Sequence, residues 1–158
     1  MAAQGKLHFA FERLLEPAIG RTSDQHLEVT VVYTAIPETL AALRRAAILA
    51  GSLNARIKLL VPQVVPYPLP LTSPPVLIDF NERRFLVVAR QMPVETTARI
   101  YLCRDRMDAL TTVLRPNSVV VIGARRSWWF GEARRLARRL ERAGHEVILA
   151  DMERDANG

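Results

Sequence analysis

The sequence predicts an α/β domain of three layers, a doubly wound, mostly parallel five-stranded sheet with helices on both faces. Short runs rich in β-branched residues alternate with segments of helical periodicity from Glu28 to Asp151. The strongest run, NSVVVIG at 117–123, holds four consecutive apolar residues between turn formers, as suits a strand covered on both faces. The 158 residues, 49% hydrophobic and 24% charged, match one globular core.

The elements follow in order. Before the domain, Leu7, Phe11, Leu14, Leu15 and Ala18 form an apolar stripe, so residues 1–27 read as an extension carrying an amphipathic helix. The domain itself spans 28–151, and 152–158 form a tail. Glu28 to Thr34, EVTVVYT, is the first strand of that domain. Pro37 and Glu38 open a helix that Gly51 is expected to stop. Ala55 to Val61 is the next strand, which completes a βαβ unit and implies parallel pairing. Pro62 to Pro75 carries six prolines and reads as an extended loop, incompatible with a central strand. Asp79 to Gln91 is a helix, although its LVVA stretch also suits a strand. Thr96 to Cys103 is a strand, Asp105 to Leu114 a short helix ended by Pro116, and Asn117 to Gly123 the central strand. Gly131 to Ala143 is a helix whose Ala133, Leu136, Ala137, Leu140 and Ala143 form an apolar stripe expected to face the sheet, and Glu146 to Ala150 is the last strand.

Charge and cysteine usage narrow the function classes. The net charge is +6, and of 22 basic residues only Lys6 and Lys58 are lysine. Such an arginine excess fits either contacts with phosphates or a solvated surface. One cysteine, Cys103, excludes an internal disulfide, and scattered His8, His26 and His145 supply no metal-ligand spacing, so neither a metal site nor a catalytic triad is expected. The opening residues lack a signal peptide's apolar core, and no run is long enough to span a membrane. A cytoplasmic protein, at most peripheral to the membrane, is the expectation.

Two stretches carry a resemblance. VTVVYTAIPETLAALRRAAILAGSLNARIKLL resembles the opening βαβ of the universal stress protein family, and ETTARIYLCRDRMDALTTVLRPNSVVVIGARR resembles that family's third strand, short helix and central strand. The resemblance covers residues 28–151 and implies a Rossmann-like sheet of the adenine nucleotide alpha hydrolase type, frequent homodimers and, in one branch, an ATP site at the carboxyl ends of the first and fourth strands. Doubly wound sheets bind ligands in that crevice on general grounds too. On this chain the site comprises Thr34, Ala35, Gly123, Ala124, Arg125, Arg126 and Gly131. The family's acidic residue at the end of the first strand falls on Thr34, and its glycine-rich signature keeps only Gly123. Its second glycine falls on Arg126, and its last glycine and hydroxyl on Leu136 and Ala137. These losses argue against assuming bound ATP, because glycines let backbone N–H groups approach phosphate.

The expected function is therefore a non-enzymatic regulatory or assembly module acting through protein contacts, a homodimer first. The alternative is a binder of a nucleotide or other phosphorylated ligand at the strand ends. Arg125 and Arg126 precede a helix N-terminus and are either solvated or an anion-binding pair. Trp128 and Trp129 share one turn and either anchor their loop or form a partner hot spot. GARRSWWFGEARRLARRL is also similar to the ending of stress-protein-like modules that accompany amino-acid permeases, which implies a transporter or membrane-associated complex as partner. Nucleic-acid binding is not expected, since the apolar stripe of the last helix leaves only some of its arginines a common face. Cys103 reads as a small core residue, and Asp79, Glu82, Asp105 and Asp108 as helix starts and solvated faces rather than an acid–base pair.

Overall fold

The computed structural model describes residues 8–13, 27–69, 96–125 and 131–151. The strands are β1 (His8–Arg13), β2 (Glu28–Val32), β3 (Arg56–Val64), β4 (Thr96–Cys103), β5 (Val119–Ala124) and β6 (Glu146–Asp151). The helices are α1 (Ile36–Leu53), α2 (Arg106–Val113) and α3 (Glu132–Arg142). The strands form one sheet in the order β1-β4-β3-β2-β5-β6, and every neighbouring pair is parallel. Strand order reverses between β2 and β5, so the crevice of a doubly wound sheet opens at their carboxyl ends.

Two apolar layers hold the helices to this sheet. On one face Ala42, Leu43, Ala46 and Ala50 of α1 pack on Val29, Val31, Ile57, Leu59 and Val121. On the other, Leu110 of α2 and Leu136, Ala137 and Leu140 of α3 pack on Val32, Leu60, Val120 and Ile122. Small alanines on α1 let its axis lie close to strands whose branched side chains fill the remaining space.

Three expectations are corrected. The amino-terminal segment is not helical where it is described: His8–Arg13 is a strand, the sixth of the sheet, paired with β4 from His8↔Thr97 to Arg13↔Leu102. The sequence HFAFER alternates with period two, and β4 offers an edge whose backbone groups need partners, so pairing outweighs the weaker 3.6-residue stripe. Pro62 lies inside β3, between β2 and β4, rather than in a loop. There β2 has already ended: Tyr33 N–H donates to the Leu60 carbonyl at 2.9 Å, and Pro62, two residues on, is turned toward the side β2 has vacated. The third concerns α1, which runs through Gly51 to Leu53 and stops at Asn54, whose left-handed backbone (φ 51°) closes the helix. The expected helix at 79–91 lies outside the described residues.

Gly51 therefore sits in a helix with no heavy atom within 4 Å of an added Cβ. Gly51→Ala is expected to stabilise the protein by about 0.5 to 1 kcal/mol by removing backbone freedom from the unfolded chain. Thermal unfolding followed by circular dichroism should show a Tm raised by about 2 °C, the shift such a gain gives a domain of this size.

Candidate functional site

The parallel register of β2 and β5, ending at Val32↔Ile122, brings Thr34 and Ala35 beside Gly123, Ala124 and Arg125. Ala35 is the N-cap of α1 in extended conformation and offers no side-chain cap. Thr39 takes over part of that role: its buried hydroxyl accepts the Thr34 N–H at 3.2 Å, while its own N–H donates to the Ala35 carbonyl at 2.8 Å. The turn leaving β2 is thereby fixed, with the Thr34 Oγ1 buried and without a hydrogen-bond partner among the described residues.

Gly123, whatever its place in a phosphate signature, has a packing task. A Cβ built there would lie 1.8 Å from the Glu38 carbonyl oxygen and 2.3 Å from its carbon. The first turn of α1 rests directly on Gly123, and the absence of a side chain allows that approach. Leu136 and Ala137, which fall where the signature's last glycine and hydroxyl stand, are core residues of α3.

Two arginines flank the crevice, each near a carboxylate. Arg125 Nε donates to Glu38 Oε1 at 2.5 Å, with the Arg125 side chain 51% exposed and that of Glu38 12%. Glu38 stands in the first turn of α1, where the helix dipole favours a carboxylate. Glu38 Oε2 is buried with no hydrogen-bond partner among the described residues. On the other side, a guanidinium nitrogen of Arg106, the first residue of α2, donates to the Tyr33 carbonyl just beyond β2. Burial pushes the Arg106 pKa down, and the nearby Glu132 carboxylate at the start of α3 opposes that shift. Its Nε is buried without a partner among the described residues.

Of the expected site residues, Thr34, Ala35, Gly123, Ala124 and Arg125 gather at the crevice, and Gly131 is the N-cap of α3. Arg126, Trp128 and Trp129 lie outside the described residues. The sequence reading missed Glu38 and Arg106. Arg106 had a usable signal, because it opens a helix directly after a strand, the same position that drew attention to Arg125. Glu38 had none, since its pairing with Arg125 joins residues 87 apart.

Asp105 and Cys103 fit structural roles. Asp105 caps α2 by accepting the Asp108 N–H at 2.9 Å. Cys103 is 5% exposed, as expected of a core residue. Burial pushes its thiol pKa up, Asp105 adds to the shift, and Arg106 opposes it. Because the folded-state pKa is raised, this thiol leaves stability unchanged below its ordinary pKa of about 8.5 and lowers it as the pH climbs above that value. Urea midpoints of wild type and Cys103→Ala should hold a constant difference up to that pH, above which the wild type should fall faster than the variant. Among the described residues no three His, Cys, Asp or Glu side chains are placed to hold a metal ion, and no helix is long and apolar enough to cross a membrane.

No protein-family model and no curated protein sequence matches this chain. Solved structures do resemble it. A protein of the universal stress protein family from Burkholderia pseudomallei superposes with a TM-score of 0.52 and 21% identity, covering 80% of this chain and 97% of that one. A universal stress protein in complex with cAMP gives a TM-score of 0.47 and 17% identity, covering 79% of this chain and 98% of that one. With β1 set aside, the remaining five parallel strands, flanked by helices, have the universal stress protein fold, and that is the fold of this chain.

Proposed function

We propose that this chain is a non-enzymatic regulatory or assembly module that acts through protein contacts, beginning with a homodimer formed on the free edge of β6. One observation carries the reading. Among the described residues β6 pairs only with β5, and its apolar run Val147-Ile148-Leu149-Ala150 holds neither proline nor lysine, with Leu149 42% exposed. An edge without such protection is a template for another strand. A two-fold axis would set β6 antiparallel to its copy, joining both sheets while satisfying the outer backbone groups. The crevice supports the same reading, since α1 closes on Gly123 and Arg125 is engaged by Glu38. On the sequence argument, the Trp128–Trp129 pair would supply a second contact, for a transporter or membrane-associated partner. Native mass spectrometry of wild type and Leu149→Lys tests the dimer: a dimeric wild type and a folded monomeric variant are expected. A monomeric wild type at micromolar concentration would reject the proposal.

A second reading rests on Arg106, whose half-buried guanidinium keeps a free Nε among the described residues near the first turn of α3. It is a site for a phosphorylated small ligand at the ends of β2 and β5. Calorimetric titration with inorganic phosphate and with ATP decides it. Binding that Arg106→Met weakens at least tenfold would support the site, and no heat at millimolar ligand would exclude it.

A further inference from the structure

The helix α3 turns an almost unbroken arginine surface to solvent. Its sheet-facing side is narrow: Leu136, Ala137 and Leu140 are buried, with Ala133 partly so. Arg135, Arg138, Arg139 and Arg142 are all exposed, spaced i, i+3, i+4 and i+7. At 3.6 residues per turn, Arg135, Arg138 and Arg142 form the outermost ridge, about 10 Å long at 1.5 Å per residue. The helix's carboxylates, Glu132 and Glu141, fall to the flanks of that ridge. As the sequence pattern led one to expect, only some of the helix's arginines share this face: Arg134 is partly buried and lies off the ridge.

We propose that this ridge binds the phosphate backbone of nucleic acid, without reading bases. The charge is guanidinium, which pairs with phosphate oxygens through two parallel hydrogen bonds. A lipid surface fits less well, because interfacial helices bury an apolar face in the membrane, and here that face is committed to the sheet. No groove-reading element accompanies the ridge, so affinity comes from phosphate contacts and counterion release. Arg139 and Arg142 also line a cleft of about 510 Å³ together with Asp105 and Asp108. Arg135 and Arg138 do not line that cleft, which makes them the pair to substitute.

The test is fluorescence anisotropy of the full-length protein with a short labelled DNA duplex of arbitrary sequence across a salt series. Three to four phosphate contacts predict a log–log slope of about −3 to −4 against salt concentration. Arg135→Gln/Arg138→Gln should flatten that slope by about 2, and the corresponding lysine pair should restore most of it. Arg44→Gln/Arg45→Gln, which removes an equally exposed pair from α1, should leave it unchanged. The proposal fails if DNA does not bind at low salt, if both glutamine pairs weaken binding equally, or if vesicles of anionic lipid bind while the duplex does not.

Discussion

Gly123→Ala is expected to destabilise the protein by about 3 kcal/mol or more, the upper range for forcing extra volume into a packed interior. The new methyl would meet the Glu38 carbonyl oxygen at 1.8 Å, the carbonyl carbon at 2.3 Å and the Cα at 2.9 Å. All three are backbone atoms, so no side-chain rotation relieves the clash and the first turn of α1 must shift. That turn also carries the carboxylate paired with Arg125 and the Thr39 hydroxyl that holds the Thr34 amide. Urea unfolding of the ligand-free protein should show a large fall in midpoint or the loss of a cooperative transition. A glycine kept only for phosphate approach would change ligand affinity and leave ligand-free stability intact. A variant as stable as wild type would remove the packing role assigned here.

Arg106→Met is the second large effect. Methionine keeps most of the apolar stem and removes the guanidinium that ties α2 to the Tyr33 carbonyl. A hydrogen bond from a charged donor contributes about 1.5 to 3 kcal/mol, and a destabilisation in that range is expected. Part of it is offset because the guanidinium is itself costly to bury, as its lowered pKa indicates. Arg106→Lys should rescue little, since a compact ammonium on a flexible stem does not reproduce the planar fork. Equal stability of Arg106→Met and wild type would show that the contact carries no net weight.

The architecture was legible where one stretch of sequence answers to one environment. VTVV and VVVI are rich in β-branched residues at successive positions because both faces of β2 and β5 are covered, and the period of α3 matches its single buried side. Legibility failed where a partner distant in sequence decides the outcome. Whether HFAFER becomes strand or helix depends on the edge of β4, about ninety residues away. Pro62 is tolerated in β3 because β2 ends early, a fact carried by Tyr33 and Leu60 rather than by the proline's neighbours. The candidate site shows the same division. Strand ends could be located, which found Thr34, Gly123 and Arg125. The occupant of the space above Gly123 is the backbone of α1, and backbone proximity leaves no mark in residue type. The packing role of Gly123 was therefore not visible in the sequence.

The central claim is the β6 homodimer, and a single cysteine tests it most directly. In a Cys103→Ala background, Leu149→Cys places the thiol near the middle of β6. Antiparallel pairing about a two-fold axis brings residues near the strand centre opposite their own copies at a Cα separation of about 4.5 to 5.5 Å, within the span of a disulfide. Mild oxidation should convert the variant to a covalent dimer at micromolar protein, while Arg115→Cys, exposed before β5 and away from that edge, should remain monomeric on a denaturing gel. Failure of Leu149→Cys to cross-link, or cross-linking no faster than Arg115→Cys, would contradict the account.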